Sequence, residues 1–151
     1  MINLRIFNEV KNFKVPNGRV LKAFGSFLKK EKMGGGEINL IFVDEKAMTR
    51  LNEAWKGHKG STDVLTFDYS EKKGVVNGEI YICPKVAERY VRGAGGGVAA
   101  GGRIVSLNSA GVVAEVLNLF VHGLLHLAGY THETEAKLAR IMKRAGEILT
   151  K

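Results

Sequence analysis

Apolar residues at positions 2, 4 and 6 alternate with Asn3 and Arg5, the period of a strand with one buried face. The period then changes. Pro16 stands where a helix can start, and Val20, Leu21, Phe24, Phe27 and Leu28 trace one face of it. Lys29, Lys30 and Lys32 suit the negative end of that helix, and Gly34 to Gly36 stop it. Glu37 to Val43 reads as a second strand, with Asp44 as the N-cap of a short helix through Ala54. A polar loop over 57–62 leads into a third strand, Asp63 to Tyr69. Lys72 to Gly74 and Asn77-Gly78 mark a turn region before a fourth strand, Glu79 to Cys83. Pro84 opens a further helix running to about Arg92.

Gly93 to Gly102 holds six glycines in ten residues and no periodicity, which predicts a flexible loop. Gly95 to Ala100 formally satisfies a dinucleotide-binding fingerprint. No strand–helix–strand unit follows it, so the match is set aside. A helix beginning near Gly111 is apolar almost all round, which places it at the centre of a domain. Its one polar line is Glu115, Asn118, His122 and His126. Those interruptions make it a core helix rather than a membrane span. The last helix, Glu133 to about Leu149, turns Leu138, Ile141, Met142, Ala145 and Ile148 inward. Lys137, Arg140, Lys143 and Arg144 form its basic outer face. The order of elements predicts one α+β domain over 1–151. Its short, mixed four-stranded sheet is flanked by helices, with the apolar helix buried centrally.

Composition adds three constraints. An apolar content of 45% supports a packed core and excludes a disordered chain. A net charge of +8 favours an anionic partner, nucleic acid ahead of an acidic membrane surface. The single cysteine, Cys83, excludes an internal disulfide and a cysteine-rich zinc site and fits a reducing compartment. The first ten residues carry no signal-peptide pattern, so a cytoplasmic location is expected.

The chemistry concentrates in His122-Gly-Leu-Leu-His126-Leu-Ala-Gly-Tyr-Thr-His132, which holds three of the four histidines. His122 and His126 are spaced i, i+4 and project from one helix face. Gly129 is placed to end the helix in a left-handed turn that swings His132 back toward the pair. Three imidazoles with no fourth protein ligand match a catalytic metal site, which keeps a position open for water or substrate. Zinc is the first choice, and another divalent transition metal also suits three imidazoles. Gly123 stands where a zinc protease motif would carry its glutamate base, which argues against peptide hydrolysis. Glu115, two turns up the same face, can accept the second N–H of a ligand histidine; Asn118 and Thr131 are weaker candidates. Lys56, with His58 and Lys59, supplies cations suited to a phosphodiester.

These residues resemble the YbeY family of metal-dependent, single-strand-specific endoribonucleases that act in ribosomal RNA maturation. The likeness rests on HGLLHLAGYTH against a family pattern H-G-x-L-H-L-x-G-Y-D-H. Leu51-Asn52, Ser61 to Phe67 against P-T-D-V-L-S-F, and Gly78-Glu79-Ile80 against G-D-I support it. The resemblance covers most of the chain from Glu37 onward and is thin over Gly93 to Gly111. It implies a zincin-like fold and one zinc ion held by His122, His126 and His132. It also implies partners in single-stranded RNA, ribosomal RNA and the ribosome, with neither DNA nor membrane. Four positions depart from the family: Thr131 replaces aspartate, Lys56 arginine, Ser61 proline and Glu79 aspartate. Lysine keeps the charge of arginine but not its bidentate fork. In this reading Lys56 steadies a phosphate and Glu115 orients a ligand. Two rivals make different predictions: a metal-dependent hydrolase of peptide or amide bonds, indifferent to salt, and a non-catalytic metal-stabilised ribosome-binding module.

Overall fold

The computed structural model describes residues 2–94 and 106–150. Strands β1 (Ile2–Asn8), β2 (Gly35–Phe42), β3 (Val64–Asp68) and β4 (Val75–Ile82) form a single sheet in the order β1-β2-β4-β3. β2 runs parallel to both β1 and β4, and β3 lies antiparallel to β4 on an edge. The helices are α1 (Asn17–Glu31), α2 (Glu45–Leu51), α3 (Pro84–Ala94), α4 (Ala110–Leu127) and α5 (Glu135–Leu149). The sheet is mixed and four-stranded, and the class is α+β, as the periodicity predicted. The glycine-rich segment from position 95, with its dinucleotide-like run, lies outside the described residues, whereas Gly93 and Ala94 close α3.

Helix starts follow their capping residues. Asp44 Oδ1 accepts the Ala47 N–H at 2.8 Å, Ser109 Oγ that of Val112 at 3.3 Å, and Thr134 Oγ1 that of Lys137 at 3.1 Å. α4 lies against the inner face of the sheet and touches α1, α3 and α5 as well. Val116, Phe120, Val121, Leu124 and Leu125 are fully buried on it, against Ile38, Leu40, Ile80 and Ile82 of the sheet and Phe27 of α1. Each such side chain contributes about 2 kcal/mol relative to exposure. α4 is long and apolar enough to cross a membrane, but its apolar surface is spent on this core. A smaller cluster of Ile41, Val43, Met48, Leu65 and Cys83 fills the opposite face of the sheet beneath α2.

Several boundaries differ from the sequence reading, each for a packing reason. Asn77-Gly78 is not a turn. Both residues lie inside β4, opposite Glu37 and Ile38 of β2, and the chain reverses earlier, around Gly74. Gly78 is glycine because the end of α4 presses on it: a Cβ there would stand 2.5 Å from a Leu127 methyl and 2.6 Å from the Phe67 carbonyl oxygen. Leu21, Leu138 and Met142 are exposed, because α1 and α5 each bury a narrower stripe than the apolar periodicity suggests. Arg144 is not a free member of a basic face. It turns to Glu31 at the end of α1, Nε to Oε2 at 2.6 Å. The helix expected to end at Ala54 continues as a π-helical turn, Asn52–Lys56, closed by Gly57.

Candidate metal centre

α4 ends in a Schellman motif. The Tyr130 N–H donates to the Leu125 carbonyl and the Gly129 N–H to the His126 carbonyl, both at 3.0 Å, with Gly129 at φ 102°. This turn brings His132 back beside the helical pair. One ring nitrogen from each of His122, His126 and His132 lies within 4.8 Å of the others. His132 Nδ1 stands 3.1 Å from His126 Nε2. Two nitrogens on one tetrahedral zinc are about 3.3 Å apart, given Zn–N bonds of about 2.0 Å. His126 Nδ1 lies 3.1 Å from the Tyr130 carbonyl oxygen, which can only accept, so Nδ1 carries the proton and Nε2 offers its lone pair. The donor set and its convergence fit one divalent transition ion.

Electrostatics favour the ligand form of these rings. Burial pushes His122 below the ordinary imidazole range, and charge on His126 and His132 lowers it further, against a smaller opposing pull from Asp63. Burial also lowers His126, aided by His132 and Lys56, while the Tyr130 carbonyl opposes. Both rings are therefore held in the neutral state that binds metal.

The histidines form one wall of a cleft of about 540 Å³. Lys56, Thr66 and Asp68 line it together with Gly129, Tyr130 and Thr131. Lys56 Nζ lies 5.1 Å from the centroid of the Phe67 ring, a cation–π contact that steadies the ammonium. The turn bearing Lys56 is anchored: Asn52 Nδ2 donates to the Gly60 carbonyl and the Gly60 N–H to Glu53. His58 and Lys59, in the same loop, are exposed and do not line the cleft. Thr131 lines it.

Glu115 is partly buried two turns from His122, with Asn118 as its polar neighbour. Burial raises its carboxyl above the usual range, and the charge of Asp63 adds to that. Asp63 thus acts on both Glu115 and His122. Asn118 itself is exposed, in a groove with Arg19 and Lys22 of α1, so the polar line of α4 does not all face the cleft. Gly123 faces the sheet: a Cβ there would meet three atoms of Ile80 at 3.0–3.1 Å. No side-chain base can be housed at that position.

Sequence reading passed over Thr66, Asp68 and Tyr130. In β3 the apolar Leu65 and Phe67 serve the small outer cluster, which leaves the polar alternates on the face toward α4. The alternation is legible in the sequence, but which face meets the histidines is set only by the packing of α4 on β3.

A four-stranded mixed sheet laid on a buried helix, with three imidazoles converging at the helix end, defines an α+β protein with a metal-binding site in a cleft. Residues 5–151 match the family model Endoribonuclease YbeY. The Endoribonuclease YbeY of Thermotoga maritima is 34% identical over 139 residues, 92% of this chain and 81% of that protein. That of Renibacterium salmoninarum is 36% identical over 123 residues, 76% of this chain and 69% of its own. A solution structure of a Thermotoga maritima protein aligns with TM-score 0.64 at 31% identity, covering 97% of this chain and 89% of that one. The chain belongs to the YbeY endoribonuclease family.

Proposed function

We propose that this protein is a zinc-dependent endoribonuclease that cleaves single-stranded RNA in the maturation of ribosomal RNA, in the cytoplasm and at the ribosome. The observation that carries the reading is that Lys56 lines the same cleft as His122, His126 and His132, close enough for its charge to act on His126. A phosphodiester entering this cleft meets both a metal-binding cluster and a fixed ammonium. The zinc ion, when bound, supplies Lewis acidity at the scissile phosphate. Lys56 holds a non-bridging phosphate oxygen and offsets the charge that grows there as the bond breaks. As a compact point charge it orients the phosphate less tightly than an arginine fork does. The Tyr130 carbonyl keeps His126 in the Nδ1–H tautomer. Asp63, immediately before β3, is the carboxylate whose charge acts on His122. The net charge of +8 draws the polyanion in and makes its binding fall steeply with salt.

Incubation of the zinc-loaded protein with end-labelled single-stranded RNA, beside an identically prepared His126→Ala variant, tests this. Cleavage by the parent, reduced at least about 100-fold in the variant, is expected from loss of a metal ligand. Equal cleavage by both would assign the activity to a contaminant. Bound metal and bound RNA without turnover would make the protein a binding module.

A further inference from the structure

Tyr130 does two things at once. Its carbonyl oxygen lies 3.1 Å from His126 Nδ1, and its hydroxyl donates to Glu31 Oε2 at 3.3 Å, at the far end of α1. The same carboxylate oxygen accepts from Arg144 Nε of α5 at 2.6 Å, while Arg144 Nη2 donates to the Lys30 carbonyl at 3.2 Å. Arg140 of α5 stands over the Tyr130 ring, its guanidinium carbon 5.6 Å from the centroid. The side chains of Glu31 and Arg144 are 9% and 29% exposed, so the pair is shielded enough for geometry to matter. Residue 130 follows directly on a glycine at positive φ, and its peptide plane is held by the Schellman bonds, by packing of the ring against the core and by this cluster.

We infer that Glu31, Arg144 and Tyr130 form a positioning cluster that ties the C-terminal ends of α1 and α4 to the middle of α5 and fixes, through the Tyr130 carbonyl, the tautomer and orientation of His126. The chain of contacts is continuous from α1 to the imidazole. Glu31 fixes the hydroxyl, the ring fixes the backbone of residue 130, and that backbone's oxygen fixes the Nδ1–H of His126. Glu31 and Arg144 lie outside the lining of the substrate cleft, and Tyr130 borders it. They act through His126. The inference rests on the metal-site reading above for its consequence, but the tautomer it predicts belongs to the metal-free protein as well.

The test uses Glu31→Ala, Tyr130→Phe and Glu31→Gln in the full chain. Melting temperature is recorded for each, with two readouts at the site. The first is imidazole ¹⁵N chemical shifts of the metal-free protein. Wild type shows His126 as the Nδ1–H tautomer, and Glu31→Ala shows a mixture. The second is Co²⁺ affinity by chelator competition, which Glu31→Ala weakens about tenfold, as loss of an outer support to a ligand histidine does. Tyr130→Phe keeps the ring and loses only the hydroxyl, and is expected to weaken it about threefold. Glu31→Gln keeps an acceptor oxygen and restores affinity to within about twofold of wild type. Folded variants with wild-type tautomer and Co²⁺ affinity would overturn the inference. If Glu31→Ala fails to fold, Tyr130→Phe alone decides it by the same two readouts. A wild-type protein that binds no Co²⁺ yet shows the predicted tautomer shift would sink the metal reading and leave the positioning cluster standing.

Discussion

Eleven consecutive residues, His122 to His132, supply the histidine wall of the cleft, whereas the facing wall draws on a π-helical turn and an edge strand that meet it only in three dimensions. The first wall is governed by local rules. Helical periodicity aligns two imidazoles, and the glycine-ended helix returns the third. The second is governed by tethers. Asn52 and Glu53 hold Gly60, Ser61 donates to Glu45, and Arg89 grips the Glu45 carboxylate through both terminal nitrogens. A wall built locally can be read from a motif and resists change elsewhere in the chain. A wall built by tethers needs the whole fold, and so offers more places where activity can be tuned without loss of metal.

The largest effect is expected where the histidine wall meets the sheet. Gly123→Glu, which completes the zinc protease motif on paper, drives a carboxylate into Ile80. Overpacking of about 1–3 kcal/mol plus a buried charge costing several more is comparable to the roughly 5–15 kcal/mol that holds a domain folded. Soluble expression and a urea melt will show an unfolded product rather than a protease. Gly123→Ala is the milder version, its strain offset by about 1 kcal/mol of helix propensity.

On the facing wall, Lys56→Ala should lower kcat/KM for RNA about 100-fold, the order of loss for removing one group that stabilises developing charge. Co²⁺ affinity should stay within about twofold, since Lys56 is no ligand. Lys56→Arg should equal or exceed the parent, because the fork grips phosphate in two places. A fall in metal affinity on Lys56→Ala would merge the two walls into a single unit and end the distinction between them.

Gly129→Ala probes the local rule itself. At φ 102° an alanine is strained by about 1–2 kcal/mol, which a thermal melt will register, and the displaced turn should weaken Co²⁺ binding. The smallest effect concerns pH. Burial raises the Glu115 carboxyl above its ordinary 4.5, so the folded state holds that proton more tightly than the unfolded chain. The protonated form therefore favours folding, and stability is lost as pH rises from about 4.5 through the raised value. Glu115→Gln should be more stable than the parent at neutral pH and equal to it in acid, in urea melts across that window. A variant less stable at neutral pH would mean that the carboxylate is doing favourable work beside Asp63.

What the amino-acid sequence determined by itself is the part of this protein that depends on neighbours along the chain. The histidine spacing, the glycine that ends α4, the Asp44 cap and the amphipathic helices follow from local geometry. The tertiary structure alone decided which face each strand presents. Thr66 and Asp68 line the cleft because α4 lies on that side of β3, and Asn77-Gly78 sits mid-strand because both residues pair with β2. It also decided that Arg144, drawn on a helical wheel as solvated, is bound to a glutamate 113 residues away. Period and capping are properties of a few adjacent dihedrals, whereas which side chain meets which is settled only when apolar faces close on one another.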